Sequence, residues 1–344
     1  MHASDNSTPQ LPDRLCEDWR FGSPHLHATA MAQLLRLRRG GGHVTIDGVE
    51  DSARRFVPDS MPALQRLRSI GSDALLALHR ARPMMGAVLF LEHDYDDPIT
   101  ILYQTEGVFT PVTRIVAAPG VHAHIIERHV CRGRGAAMLT ARIITARAGA
   151  SLAVELHEDG CATSRAMNIS NISVQEGAAV RHLTTHGNHA WAREETIAEL
   201  TGRGADARLF SANSLADRQT LDQHTRQIHS CGGASSNLLY KNVLNNRASA
   251  VFAGNIFVAP GAHDTDAYQS NRNMLLSENA TVHSLPGLEI LADRVRCSHG
   301  SASAPMDEQQ LFYLLSRGIP RLQAQLLVAR GFLDDAADRF RSQA

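Results

Sequence analysis

The stretch AGASLAVEL, residues 148–156, decides the fold, because its pattern returns along the chain. It joins a Gly-Ala pair to a short segment in which apolar and polar residues alternate. The same pair recurs at steps of 28, 27, 29 and 28 residues, at Gly149, Gly177, Gly204, Gly233 and Gly261. A fixed period of this length is typical of stacked structural units, and alternation with period two is typical of β-strands. The repeat therefore predicts short strands stacked coil on coil.

A mainly β fold, a right-handed and flattened parallel β-helix of about six coils over residues 86–300, accounts for this repeat. Each strand would pair with its copy one coil away, and stacked coils bury an apolar face that one hairpin cannot bury alone. Glycine permits the left-handed backbone at each corner, and the small alanine avoids crowding where coils stack. A β-sandwich with chance Gly-Ala pairs stays the alternative.

Helical patterns flank this predicted core on both sides. Residues 1–85 form a largely helical N-terminal region that closes at Pro83, since apolar residues recur there at helical spacing. Residues 301–344 contain two amphipathic segments, with Gly318 suited to the end of the first helix and Pro320 to the start of the second. This C-terminal region is interpreted as a cap on the β-helix, as a docking site for a partner, or as both.

Composition excludes several classes of function. The 344 residues carry a formal net charge of −1 and only 5% aromatic residues, which argues against a nucleic-acid or anionic membrane surface. No apolar run reaches the roughly 18 residues of a membrane span, and the N-terminal residues lack an apolar signal core, so a cytoplasmic location is expected. Five dispersed cysteines indicate reduced thiols.

The segment VRCSHGSA, residues 295–302, holds the candidate site. Cys297 and His299 are two residues apart, so on a strand both side chains share a face and could reach one iron or zinc ion. Two ligands do not complete a metal site, and a partner chain, sulfide or water would have to supply the others. From the residues alone, a small buried side chain is the favoured reading of Cys297.

Other polar groups carry weaker signals. His122 and His124 share a strand face, and three further candidate ligands follow them, at Glu127, His129 and Cys131. Spacing fixes no third ligand, so solvated strand histidines are the favoured reading. A second histidine group comprises His182, His186 and His189, with no helix to align its members. The pair Asp264 and Asp266 could serve sugar chemistry, but a turn with two aspartates explains it more simply. The chain contains no phosphate-binding GxxxxGK[ST] loop.

Long motifs in the last third of the chain resemble the SufB/SufD family of iron–sulfur cluster assembly scaffolds. They are NLLYKNVLNNRASAVFAGNIFVAPGAHDTDAYQSNRNMLLSENATVHSLPGLEILADRVRCSHGSA and DEQQLFYLLSRGIPRLQAQLLVARGF. EDWRFG, residues 17–22, resembles an N-terminal motif of the family. The resemblance implies a parallel β-helix between helical ends. It also implies a cytoplasmic complex in which SufC, an ABC-type ATPase, binds the C-terminal helices.

Two positions place the chain nearer the SufD branch. Ala280 stands where SufB-type members have a cysteine thought to hold the nascent cluster, and HGSA at residues 299–302 replaces their His-Glu-Ala-Thr. CSHG, in contrast, matches the SufD branch. The resemblance implies that His299, together with Cys297, contributes to an interface with SufB.

The expected function is therefore that of an accessory scaffold subunit in a SufBCD complex and not that of an enzyme. A SufB-like scaffold would be the heterodimer partner, and iron or an iron–sulfur cluster would be held transiently by Cys297 and His299, only in the complex. A homodimer of the isolated chain stays open. Two alternatives remain: a β-helix hydrolase or lyase acting on polysaccharide, and a purely structural homodimeric protein.

Overall fold

The computed structural model describes residues 42–50, 54–56, 67–70 and 86–342. Most of the predicted helical N-terminal region, including the EDWRFG motif, lies outside the described residues. Its described part contains two short strands, β1 (Gly42–Asp47) and β2 (Arg54–Phe56), each paired antiparallel to the first strands of the core.

Two long sheets face each other and form a flattened parallel β-solenoid. The core strands are β3 (Ala87–Leu91), β4 (Ile99–Thr105), β5 (Val108–Phe109), β6 (Val112–Ala117), β7 (His122–Cys131), β8 (Ala137–Ala146), β9 (Ser151–Asp159), β10 (Arg165–Val174), β11 (Ala179–Gly187), β12 (Trp191–Leu200), β13 (Asp206–Leu215), β14 (Thr220–His229), β15 (Ser235–Leu244), β16 (Ser249–Val258), β17 (Asp266–Leu275), β18 (Thr281–Ile290) and β19 (Arg296–Pro305). One sheet has nine strands in the order β1-β4-β7-β9-β11-β13-β15-β17-β19, and the other has ten, in the order β18-β16-β14-β12-β10-β8-β6-β3-β2 with β5 beside β8. The predicted mainly β, parallel β-helix fold is confirmed.

The solenoid has about eight coils, so the expected number of six was too low. The missed coils are those in which the Gly-Ala marker is absent. The corner before β7 reads Gly120-Val121, and the corner before β19 has Arg294 in the left-handed backbone region in place of glycine. The repeat in the sequence therefore marks only the middle of the stack.

The repeated glycines lie along one edge of the stack, as predicted, although at the corner before β17 the register places Asp264, with a φ of 59°, in the position expected for Gly261. All five have a positive φ, which an L side chain rarely adopts, and each precedes a strand of the nine-stranded sheet. Backbone hydrogen bonds join successive corners: Gly149 donates to the Glu176 carbonyl at 2.8 Å, and Gly204 donates to the Gly233 carbonyl at 3.0 Å. The corners thus add their own ladder to the ladders of the two sheets.

Inside the solenoid, residues of neighbouring coils stand in register and form columns. A column of amides illustrates the rule: Asn213 Nδ2 donates to Asn242 Oδ1 at 2.8 Å, Asn242 donates to Asn273 at 3.0 Å, and Asn273 donates to Ser303 Oγ at 3.2 Å. These side chains are buried except at Ser303, which lies on the last coil. Identical amides stacked at the strand spacing can satisfy one another without water.

The C-terminal region contains two helices, α1 (Glu308–Ser316) and α2 (Arg321–Ser342), separated by Gly318 at a φ of 81°. Phe340 and Ala336 of α2 pack on Leu183, Phe210 and related residues of the nine-stranded sheet. The helix therefore lies along the outer face of β11, β13 and β15 and does not cap the end of the stack. The alternative of a cap on the β-helix end was wrong, because amphipathicity predicts a buried face but not its partner.

Lys241 fixes α2 to the sheet and is the only lysine in the chain. Its ammonium group is buried beneath the helix, where it donates to Asp335 Oδ2 at 2.6 Å and to the Phe332 carbonyl at 2.9 Å. It also lies 4.6 Å from the centroid of the Phe332 ring. A compact ammonium with three donors suits these three contacts better than the planar guanidinium of arginine.

Replacing Lys241 by Met should free α2 from the sheet. We expect the free energy of unfolding to fall by about 2 kcal/mol, because the partly buried Phe332 carbonyl and Asp335 lose the ammonium donor, and Asp335 keeps only Arg339. Urea unfolding and limited proteolysis of α2 measure the effect. Arg208→Met is the matched control, since Arg208 forms a half-exposed pair with Asp206 on a neighbouring strand. Unchanged protection of α2 in Lys241→Met would contradict the anchoring role.

Candidate functional site

The last coil of the solenoid, formed by β18 and β19, is open on its outer side. β18 pairs with β16 and β19 pairs with β17, and neither has another strand on its far edge within the described residues. Almost every residue of β19 is exposed, in contrast to the buried coils beneath it. The unpaired backbone groups of such an edge are a template for a further strand.

Cys297 and His299 lie on β19 in the interior columns of the solenoid. Cys297 is in register with Ala267 and His299 is in register with Gln269, both of which are buried inside the coil below. The two site candidates therefore share a face of the strand, and that face is the one that would be interior if another coil followed. No such coil covers them in the described part of the chain.

The two side chains differ in their readiness to bind a metal. Cys297 packs partly buried among Ala267, Val258 and Leu288, and this burial raises the pKa of its thiol; Asp266 adds to the rise and the Ala267 backbone opposes it. A protonated thiol is a poor metal ligand, since the thiolate is the binding form. His299 is exposed and can bind through a ring nitrogen without losing a buried position.

The structure does not complete a metal site from this chain's described residues. Within them, no group of three or more His, Cys, Asp or Glu side chains stands close enough to hold an ion. Asp264 and Asp266, the pair considered for sugar chemistry, are engaged instead with Arg294 at 3.4 Å and Arg296 at 2.8 Å. Each aspartate binds an arginine of the next coil, which favours the turn interpretation over a pair of catalytic carboxylates.

The histidines at the start of β7 do not join the acidic and cysteine residues that follow them. His122 and His124 point outward, and His124 Nε2 lies 2.8 Å from Glu155 Oε1, whose other oxygen binds His157. Two imidazoles at one carboxylate hold the pKa of Glu155 at about 2, although its burial acts in the opposite direction. Glu127, His129 and Cys131 point inward on the same strand, so the cluster predicted from spacing is divided between two faces.

A fully buried charge network occupies the interior instead. His129 lies between Glu158, at 2.5 Å, and Glu127, at 2.6 Å, and Arg142 binds Glu127 through two nitrogens. Burial alone would lower the pKa of His129, but the two carboxylates outweigh it and raise the pKa to about 9. Burial would raise the pKa of Glu127, but Arg142 and His129 outweigh it and lower the pKa to about 2. The charges cancel inside the core.

The second predicted histidine group is also structural. His186 binds Glu194 at 3.0 Å, and His189 accepts or donates a hydrogen bond with Ser164 at 2.9 Å. His182 is buried without a hydrogen-bond partner, and burial lowers its pKa to about 4. These three side chains are buried, His189 also lies 3.3 Å from Glu158, and the three do not form a metal-binding group in the described part of the chain.

One family match covers most of the solenoid and the segment that holds the candidate site. A family model described as SUF system FeS cluster assembly, SufBD core domain, matches residues 101–332. The chain belongs to this family. The match includes Cys297, His299 and most of the two C-terminal helices, so the predicted resemblance to SufB/SufD scaffolds is confirmed.

Individual relatives of the SufBD family cover the chain less completely. The chain is 34% identical to the iron-sulfur cluster assembly protein SufD of Escherichia coli (strain K12), over 44% of this chain and 36% of that protein. It is 34% identical to a SufBD family protein of Mycobacterium bovis, over 47% of this chain and 43% of that protein. It is also 34% identical to SufD of Bacillus subtilis (strain 168), over 40% of this chain and 33% of that protein.

These matches confirm the predicted nearness of the chain to the SufD branch. Each match spans less than half the length of the curated relative. In the part of the chain that the structure describes, no helix is long and apolar enough to cross a membrane.

The His129 network predicts a dependence of stability on pH. Because the folded state raises the pKa of His129 from 6.5 to about 9, its contribution is complete below about pH 6.5 and is lost as pH rises through about 9. Glu127 has the opposite sign: its contribution is lost as pH falls from 4.5 toward about 2. Chemical unfolding over this pH range should show both losses.

In His129→Gln the loss between pH 6.5 and 9 should disappear. The variant should also be less stable at neutral pH by about 3 kcal/mol, because two buried carboxylates lose a cation. His157→Gln is the control, since His157 forms a similar pair with Glu155 at a partly exposed site and should cost at most about 1 kcal/mol. An alkaline loss that persists in His129→Gln would show that another group is responsible.

Proposed function

We propose that this SufBD family member is a SufD-like scaffold subunit of a cytoplasmic SufBCD complex. It pairs through its open coil with a SufB-like scaffold, and the iron or iron–sulfur cluster held at that interface is the cargo of the complex. The chain has an accessory role and no catalytic site of its own. In this proposal the chain has three parts: the N-terminal region 1–85, the solenoid core 86–300 and the C-terminal region 301–344.

One observation carries this proposal: Cys297 and His299 occupy interior columns on a coil that nothing covers within the described residues. A partner's terminal coil stacked on β18 and β19 would continue both ladders and enclose the two side chains. It would also cover apolar side chains that the open end exposes, among them Ile290 and Leu291. Edge strands of this length with apolar neighbours require such a cover.

The donor set explains why the cargo would be held only in the complex. Imidazole and thiolate are suitable ligands for iron, and cluster iron is usually bound by several thiolates. This chain offers one exposed imidazole and one half-buried thiol. Ala280, at the position where SufB-type members have a cysteine, packs against Leu275 and Val282 and offers no donor. The partner must therefore supply the remaining ligands.

The outer face of the helix pair is the proposed docking site for a SufC-like ABC ATPase. Leu311 and Ala324 of the two helices pack inward with Val243 of the sheet. The opposite face leaves large apolar side chains uncovered, with Phe312 72% and Leu322 69% exposed. Tyr313, Leu326 and Leu327 extend the same exposed apolar surface. Aromatic and leucine anchors of this kind commonly carry protein interfaces.

The metal-site proposal predicts that His299→Ala lowers the iron and sulfide content of the co-expressed complex several-fold. The substitution removes a ligand and leaves the strand backbone unchanged. Cys297→Ser should have a smaller effect if the thiol only packs and a similar effect if it binds. Ser298→Ala is the matched control, since Ser298 is exposed on the same strand but faces the other way. Metal analysis and circular dichroism report cargo and folding, and full cluster content in His299→Ala would falsify the site.

The docking proposal predicts that Leu322→Glu with Leu326→Glu abolishes co-purification with the ATPase subunit. Burying two carboxylates in a desolvated interface costs far more binding free energy than contacts at the rim of the interface can offset. The fold should be unaffected, because both positions are exposed. Arg341→Gln, near the other end of α2, should leave binding unchanged. Retention of the ATPase by the double variant would assign the exposed surface to another role, and light scattering would then show whether it joins two copies of this chain.

A further inference from the structure

The interior column beneath His299 changes from apolar to polar one coil below the open end. Leu209, Leu238, Gln269 and His299 stand in register on β13, β15, β17 and β19. Both leucines are fully buried, and Gln269 is only 2% exposed. The Gln269 amide is therefore buried between the two leucines and the imidazole of His299 at the open end. A buried amide at this position is unexpected, because an unsatisfied amide inside a protein is destabilising.

The two ends of the Gln269 amide have different surroundings. Its Nε2 group donates across the interior to the Gly254 carbonyl at 3.2 Å and to the Gly287 carbonyl at 3.4 Å. Its Oε1 atom is buried and accepts no hydrogen bond. Gly254 makes room for this arrangement, since a Cβ atom at that position would lie 2.5 Å from Oε1. The opposite sheet is therefore shaped to hold the amide in place.

The neighbouring side chains leave few donors for Gln269 Oε1. Leu238 lies below it, and Phe252, Gly254 and Pro286 of the opposite sheet have no polar side-chain hydrogen to offer. The Ser284 hydroxyl, in the next column of the opposite sheet, is also buried without a partner. The unpaired oxygen of Gln269 thus lies one coil below His299, and the unpaired hydroxyl of Ser284 lies on β18, the strand of the open coil in the opposite sheet.

From this geometry we propose that Gln269 is the positioning residue for His299. Its Oε1 atom accepts the N–H of the imidazole when the open end is closed, which leaves the other ring nitrogen with its lone pair directed at the cargo. A neutral imidazole has one donor and one acceptor nitrogen, so a fixed carbonyl acceptor selects one tautomer and one ring orientation. This inference rests on the proposed function of His299 and adds the residue that sets its orientation.

The test follows the His299 ring directly in the co-expressed complex without iron, because the proposed hydrogen bond forms when the partner closes the open end. Histidine labelled with ¹⁵N gives ring spectra that report the tautomer, and the His299→Ala spectrum identifies the signals of this residue among the 18 histidines. At a pH where the ring is neutral, we expect one tautomer to dominate in the natural chain. Gln269→Leu should give a mixture typical of solvated histidine, and Gln269→Glu, which keeps an acceptor oxygen, should restore the single tautomer.

Two further variants guard against an effect of folding. Gly254→Ala displaces the amide without removing it and should reproduce the Gln269→Leu spectrum. Asn273→Leu removes a buried amide two columns away on β17 and should leave the His299 signals unchanged. Ring signals that are the same in the natural chain, Gln269→Leu and Gly254→Ala would overturn the proposal, because a packing role alone would change stability but not the tautomer.

Iron content of the co-expressed complex separates this proposal from the function on which it rests. If both hold, Gln269→Leu should lower iron affinity by about 10-fold to 100-fold, the usual effect of removing such a hydrogen-bond partner. If His299→Ala leaves the iron content unchanged while the tautomer still depends on Gln269, the metal role of His299 is overturned and the orientation by Gln269 is supported.

Discussion

The structure depends on one constraint: each strand must pair in register with its copy one coil away. This pairing places every interior residue directly above and below residues of the same column, at the spacing of parallel strands. Apolar columns then fill the core, and the amide column of Asn213, Asn242 and Asn273 satisfies itself. Charged residues in the interior must find partners in adjacent coils, as His129 does with Glu158. The same rule leaves the strands of the last coil without a pairing partner on one edge, because no described strand lies beyond β18 and β19.

The sequence reveals those parts of the fold that depend on local backbone geometry. The corners could be read because a positive φ requires glycine at Gly149 and its equivalents, and the shared face of Cys297 and His299 follows from the period of a strand. The outer coils could not be counted, because Arg294 adopts the same left-handed conformation without the glycine marker. The family motifs then predicted membership of the SufBD family, which geometry alone could not.

Tertiary contacts account for what sequence reasoning missed. Glu127 and His129 alternate in phase with Ile125 and Cys131, so their inward direction could have been read from the strand, but their pairing with Arg142 depends on a register between coils. The position of α2 on the face of the sheet depends on Lys241, whose role is invisible in a helical pattern. The unpaired oxygen of Gln269 becomes visible only when the opposite sheet is in place.

The two exposed surfaces of the molecule are connected by rigid structure. Lys241, which holds α2 on β15, is in register with Arg272 of β17 and Ala302 of β19. Only one strand therefore separates the anchor of the helix from the strand that carries Cys297 and His299. A parallel sheet with continuous ladders transmits displacement without bending, since interiors are densely packed and resist compression. A displacement of the helix pair would consequently reach the open edge through one intervening strand of the sheet.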